Sequence, residues 1–124
     1  MSAFLLESFV KNESILIVED DFIVAKVIEN SLTSLNYIIA GLVATGEEAI
    51  ALAESGKPDL VLMDISLQGK MDGIAASEKI HTTFNIPVIF LTALSDQKTF
   101  ERALATAPYG YIIKPFSILS LIHI

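Results

Sequence analysis

Three short stretches place acids or a base directly behind apolar runs: Val18-Glu19-Asp20-Asp21, Leu62-Met63-Asp64 and Ile113-Lys114-Pro115. Carboxylates supply hard oxygen donors, and an ammonium supplies a compact positive charge. The runs ahead of them, 15–18, 60–63 and 109–113, have the composition of buried strands. In an open parallel sheet, ligands sit outside the carboxyl ends of the strands. If these runs are neighbouring parallel strands, three carboxylates and one ammonium meet at one spot. The chemistry is that of a divalent cation and a phosphoryl group.

The elements that must position these groups alternate along the chain. Strands are predicted over 14–18, 37–44, 59–63, 86–91 and 109–113. Helices are predicted over 22–35, 46–55, 72–84, from Ser95 or Asp96 to 106, and from 116 to 124. Val24, Ile28 and Leu32 repeat at helical spacing and form an apolar face. Asp21 and Asp72 stand where a cap is needed, and Thr45 with Glu48 has capping-box spacing. Strand–helix alternation implies a parallel sheet covered by helices on both faces.

The bulk composition narrows the class. A chain of 124 residues is one domain, and its 52% hydrophobic content supports a sizeable core. With no cysteine there is neither a disulfide framework nor a thiolate metal site. A net charge of −7 argues against direct binding of nucleic acid, whose phosphates need a basic face. No apolar run is long enough to span a bilayer, and the start of the chain lacks a basic signal-peptide region. A cytoplasmic protein is expected, with residues 1–13 as a leader and 14–124 as the domain.

Four segments carry a resemblance. Ile15-Leu16-Ile17-Val18-Glu19-Asp20-Asp21, Leu60-Val61-Leu62-Met63-Asp64, Val88-Ile89-Phe90-Leu91-Thr92-Ala93 and Tyr111-Ile112-Ile113-Lys114-Pro115 occur in that order. Together they resemble the signature regions of response regulator receiver domains of two-component systems, over roughly 14–119. The resemblance implies a flavodoxin-like doubly wound (βα)5 fold, an α/β class with a five-stranded parallel sheet in the order 2-1-3-4-5. It implies Asp64 as phosphoacceptor, Thr92 and Lys114 as the phosphoryl cradle, and Mg²⁺ held by Glu19, Asp20, Asp64 and the backbone carbonyl of Ser66. Three carboxylates with one ammonium leave a formal deficit that one Mg²⁺ balances. Thr92 and Tyr111 would form the switch, and Lys114-Pro115 a cis peptide.

The implied partners are a histidine kinase or phosphotransfer protein and a downstream effector or fused output domain. A homodimer through the last strand and helices, or packing on a missing downstream segment, is a further expectation, since the tail from Phe116 to Ile124 holds six apolar residues and no acid, lysine or arginine. The protein would then be a signalling switch rather than a turnover enzyme. Its controlling face would be the surface of the fourth helix, fifth strand and fifth helix.

Bland alternatives apply to single residues. Asp21 and Asp72 suit caps, Tyr109 a half-buried strand position, Ala93 ordinary core packing, and His81 and His123 the surface. A metal-dependent phosphatase would want a second acid two residues after the nucleophile, where this chain has Ser66. A flavin-binding protein would want a hydroxyl- and glycine-rich loop where Glu19-Asp20-Asp21 stands. The loop from Ile65 to Asp72 departs from the common receiver pattern: it lacks a proline and is one residue longer.

Overall fold

A computed structural model describes residues 13–67, 71–93, 98, 101–102 and 110–114; for 92–93 and 110–114 it describes the backbone alone. The elements are β1 (Ser14–Val18), α1 (Phe22–Ser34), β2 (Ile38–Val43), α2 (Gly46–Gly56), β3 (Leu60–Asp64), α3 (Gly73–Phe84), β4 (Val88–Ala93) and β5 (Gly110–Lys114). The strands form one sheet in the order β2-β1-β3-β4-β5, and every adjacent pair is parallel.

Alternate side chains of each central strand feed two cores. Leu16, Val18, Val61, Met63, Val88 and Phe90 pack on one face with Ala49 and Ala53 of α2 and with Ile74, Ala76 and Ile80 of α3. Ile15, Ile17, Leu60, Leu62, Ile89 and Leu91 pack on the other with Ile28 and Leu32 of α1. β1 from Ile15 onward and all of β3 are buried, as continuous apolar runs between two helical layers must be.

Several boundaries differ from expectation. β3 starts and ends one residue later, so Asp64 is itself the last strand residue. β4 begins at Val88 rather than at 86 and runs on to Ala93, which brings Thr92 inside the strand. Ile86 is buried all the same, so its apolar character marks the core and not the ladder. β2 bulges against β1: Ile39 pairs with Ile15 while Gly41 pairs with Leu16, leaving Ala40 as the extra residue. The buried line of α1 is Ala25, Ile28 and Leu32, with Val24 only half-buried.

The caps do what their residue types allow. Asp21 accepts from the backbone N–H of Ile23 (3.0 Å) and Val24 (3.2 Å), and the Thr45 hydroxyl accepts from Glu48 N–H at 3.1 Å. The Glu48 carboxylate reaches back to Ala44 N–H at 3.2 Å, one residue beyond the usual capping-box partner. α2 runs to Gly56, and Lys57 takes the left-handed conformation that ends it. The leader, the start of the fourth helix and the last helix lie outside the described residues.

Candidate functional site

Two adjacent strands bring the acids together. β1 and β3 pair with Val18 opposite Met63, so Glu19 and Asp20 follow β1 beside the residue that ends β3. Oxygens of Glu19, Asp20 and Asp64 lie within 4.8 Å of one another. Glu19 and Asp64 are buried, each 4% exposed, whereas Asp20 is more open to solvent. Glu19 is held by its backbone N–H to Val43 carbonyl at 3.0 Å, and its carboxylate accepts from Asp21 N–H at 3.1 Å. Three hard oxygen donors in one small volume fit a divalent cation such as Mg²⁺.

The loop after Asp64 folds straight back on it. Ser66 N–H donates to Asp64 Oδ1 at 2.9 Å, while Ile65 N–H extends the ladder to Leu91 carbonyl at 3.2 Å. The loop then returns to open α3 against the same strand end. A Cβ at Gly73 would collide with the Asp64 carbonyl oxygen and stand 2.9 Å from both its carbonyl carbon and the Ile65 Cα. Only glycine lets the first residue of α3 lie on the backbone of Asp64. Met71 is clamped nearby: a Cβ at Gly46 would stand 3.2 Å from Met71 carbonyl oxygen and 3.0 Å from Ala76 Cβ.

Asp72 caps α3 by accepting from Ala75 N–H at 2.9 Å. Its other oxygen accepts from Arg102 Nη2, thirty residues further along. Burial pushes the Asp72 carboxyl up, but the Ala75 amide and the Arg102 guanidinium outweigh it and hold it below its ordinary value.

The remaining predicted groups are described by backbone position. β3 and β4 pair with Asp64 opposite Leu91, so Thr92 follows immediately beyond. β4 and β5 pair with Thr92 opposite Ile113, Ala93 opposite Lys114 and Phe90 opposite Tyr111. Thr92 and Lys114 therefore stand at the carboxyl ends of β4 and β5, the same end of the sheet as the acids. Tyr111 lies lower on β5. The Lys114-Pro115 peptide, Tyr109, His123 and the apolar tail lie outside the described residues. His81 is exposed in the last turn of α3.

Fold and site define a doubly wound α/β domain with an acidic pocket at the ends of its central strands. Residues 15–124 match the family model of the response regulator receiver domain, and the chain belongs to that family. The transcriptional regulatory protein PdtaR of Mycobacterium tuberculosis is 39% identical over 108 residues, covering 87% of this chain and 52% of PdtaR. The chain thus spans about half the length of the curated relatives it matches. The signal receiver domain of a modulated diguanylate cyclase from Desulfovibrio desulfuricans G20 superposes with a TM-score of 0.82 at 38% identity, over 88% of this chain and 86% of that one. The receiver domain of sensor histidine kinase PA1611 from Pseudomonas aeruginosa PAO1, solved with magnesium coordinated in its active-site cleft, gives 0.79 at 37%, over 89% and 91%.

Sequence reasoning missed two contributors. Gly73 carried a signal, because the Asp72-Gly73 pair marks a helix start, but its contact with Asp64 is a tertiary fact. Arg102 carried none, since nothing local ties it to Asp72. Among the described residues, no helix is long and apolar enough to cross a membrane.

Proposed function

We propose that this chain is a phosphoacceptor switch in a two-component relay, with Asp64 as the nucleophile. An Asp64 oxygen attacks the phosphorus of a phosphohistidine on a histidine kinase or phosphotransfer protein. The phosphorus–nitrogen bond breaks, its electron pair returns to the imidazole, and an acyl phosphate remains on Asp64. A carboxylate is a weak nucleophile, so the site contributes positioning and charge balance rather than a base. The carrying observation is the convergence of Glu19, Asp20 and Asp64 from two neighbouring strand ends.

Glu19, Asp20, Asp64 and the Ser66 carbonyl are the groups that would hold Mg²⁺, which when bound neutralises the non-bridging phosphoryl oxygens. The Ser66 amide already fixes the orientation of the Asp64 carboxylate. Thr92 and Lys114 would donate to the transferred group from the ends of β4 and β5. Thr92 and Tyr111 would then transmit the change to the surface of the fourth helix, fifth strand and fifth helix.

The domain occupies residues 14–124 behind a short leader. It works in the cytoplasm and controls an attached or separate effector, without contacting nucleic acid itself. The greater length of relatives such as PdtaR supports an output beyond the receiver. The apolar tail would join two copies through the last strand and helices. Intact mass measured with Mg²⁺ and acetyl phosphate tests the central claim: one added phosphoryl group is expected in the wild type and none in Asp64→Asn. Equal labelling of both would move the acceptor elsewhere.

A further inference from the structure

The Asp72–Arg102 pair joins two parts of the molecule that the acceptor site does not need joined for cap formation. Asp72 already caps α3 through Ala75, and the guanidinium engages the second carboxylate oxygen. The next residue, Gly73, lies on the carbonyl of Asp64 with no room for a Cβ. A shift of Asp72 therefore carries Gly73 against, or away from, the backbone of the nucleophile. Met71, on the other side of Asp72, packs close to Gly46, its carbonyl oxygen 3.2 Å and its Cγ 3.3 Å from where a Cβ there would stand. Lys98, Glu101 and Arg102 are helical and exposed and lie in the chain between β4 and β5, so the group that holds Asp72 comes from outside α3.

We propose that Arg102 is a positioning residue: it latches its helical segment to the cap of α3 and so holds the backbone of Asp64 in the resting arrangement. The inference rests on Asp64 being the phosphoacceptor. The latch acts on phosphorylation only if it is stronger before transfer than after it, and in that sense it would favour the unphosphorylated state. Any strain that a phosphoryl group puts on the Asp64 backbone is passed through Gly73 and Asp72 to Arg102, and coupling of this kind is reciprocal. An exposed ion pair limits the size of the effect to roughly fivefold in an equilibrium or rate.

The test compares wild type, Arg102→Ala, Asp72→Asn and the double variant. Asparagine keeps an oxygen for Ala75 N–H and so preserves the cap while removing the charge. Phosphorylation by acetyl phosphate with Mg²⁺ is followed by intact mass. Amide exchange at Ile74–Ala76 is followed in the unphosphorylated protein. Each single variant is expected to label about two- to fivefold faster and to lose protection at the start of α3. The double variant should go no further than either single one.

Salt near 1 M should lower the protection of Ile74–Ala76 in wild type toward that of the variants and change it little in Arg102→Ala. Unchanged or slower labelling, additive effects or intact protection in Arg102→Ala would each overturn the latch. A wild type that never labels on Asp64 would instead overturn the proposed function, and the exchange measurement would still decide the latch.

Discussion

Acids gather at both ends of the sheet, and the two gatherings are built differently. At the amino ends of the strands, Asp59 Oδ2 accepts from Ser14 N–H (2.8 Å) and from the Ser14 hydroxyl (3.1 Å). Asp59 N–H donates back to Ser14 carbonyl at 2.9 Å. One carboxylate there closes a local hydrogen-bonded loop between β1 and the start of β3. At the carboxyl ends, Glu19, Asp20 and Asp64 bring three carboxylates within 4.8 Å, two of them buried. Proximity of acids is common to both places. Burial, and a third carboxylate, separate a structural pair from a site that suits a cation.

Breaking the upper cluster should have the largest effect. Asp64→Asn is expected to abolish phosphorylation altogether, whereas Asp59→Asn should leave it intact; intact mass reads both. Next comes the cation. Asp20→Ala should remove the Mg²⁺-dependent change in fluorescence or calorimetry, and Asp59→Asn should keep it. A Mg²⁺ response that depended on Asp59 would erase the distinction between the two ends.

Gly73→Ala probes the backbone on which the upper end rests. The added Cβ meets main chain rather than a side chain that can rotate away, so a destabilisation of roughly 1–3 kcal/mol is expected in denaturant melts.

The smallest effects concern pH, and the two ends should respond with opposite sign. Asp72 is held below its ordinary value of 3.8, so its contribution to stability is present above that pH and is lost as pH falls through the folded value. Glu13, beside Asp59, is raised above 4.5 by desolvation, by repulsion from Asp59 and by a hydrogen bond to Asp59. Its contribution is fullest below 4.5 and is lost as pH rises through the folded value. Carboxyl titration by NMR should show Asp59→Asn returning Glu13 toward its ordinary value and Arg102→Ala doing the same for Asp72.

Much of this is legible in the sequence, for local reasons. Apolar runs ending in acids predict strand ends, and Asp21, Thr45 and Asp72 predict caps, because one side chain and the amides two or three residues on decide both. The outward shift of β4 was not legible: Ile86 is as apolar as a strand residue, and only the ladder shows that pairing starts at Val88. Ala25 displaced Val24 from the buried line of α1 because which face of a helix meets the sheet is a property of the docked pair. The link from Arg102 to Asp72 spans thirty residues and has no periodic signature. The sequence puts Thr92 and Lys114 just past their strands, whereas the backbone carries β4 and β5 on to include them; Tyr111 lies within β5 as expected, and the roles of all three stand as proposals.

The pairing of β1 with β3 has a consequence for the order of events in folding. Val18 and Met63 are neighbours although α1, β2 and α2 lie between them in the chain. Until that crossover closes, Asp20 and Asp64 sit on distant parts of the chain and repel each other little. The cost of crowding them comes with the long-range β1–β3 contacts that topology makes slow. A cation that binds only the assembled pocket would stabilise the folded state by mass action. The gain divides between faster folding and slower unfolding according to how far that pairing has formed in the transition state.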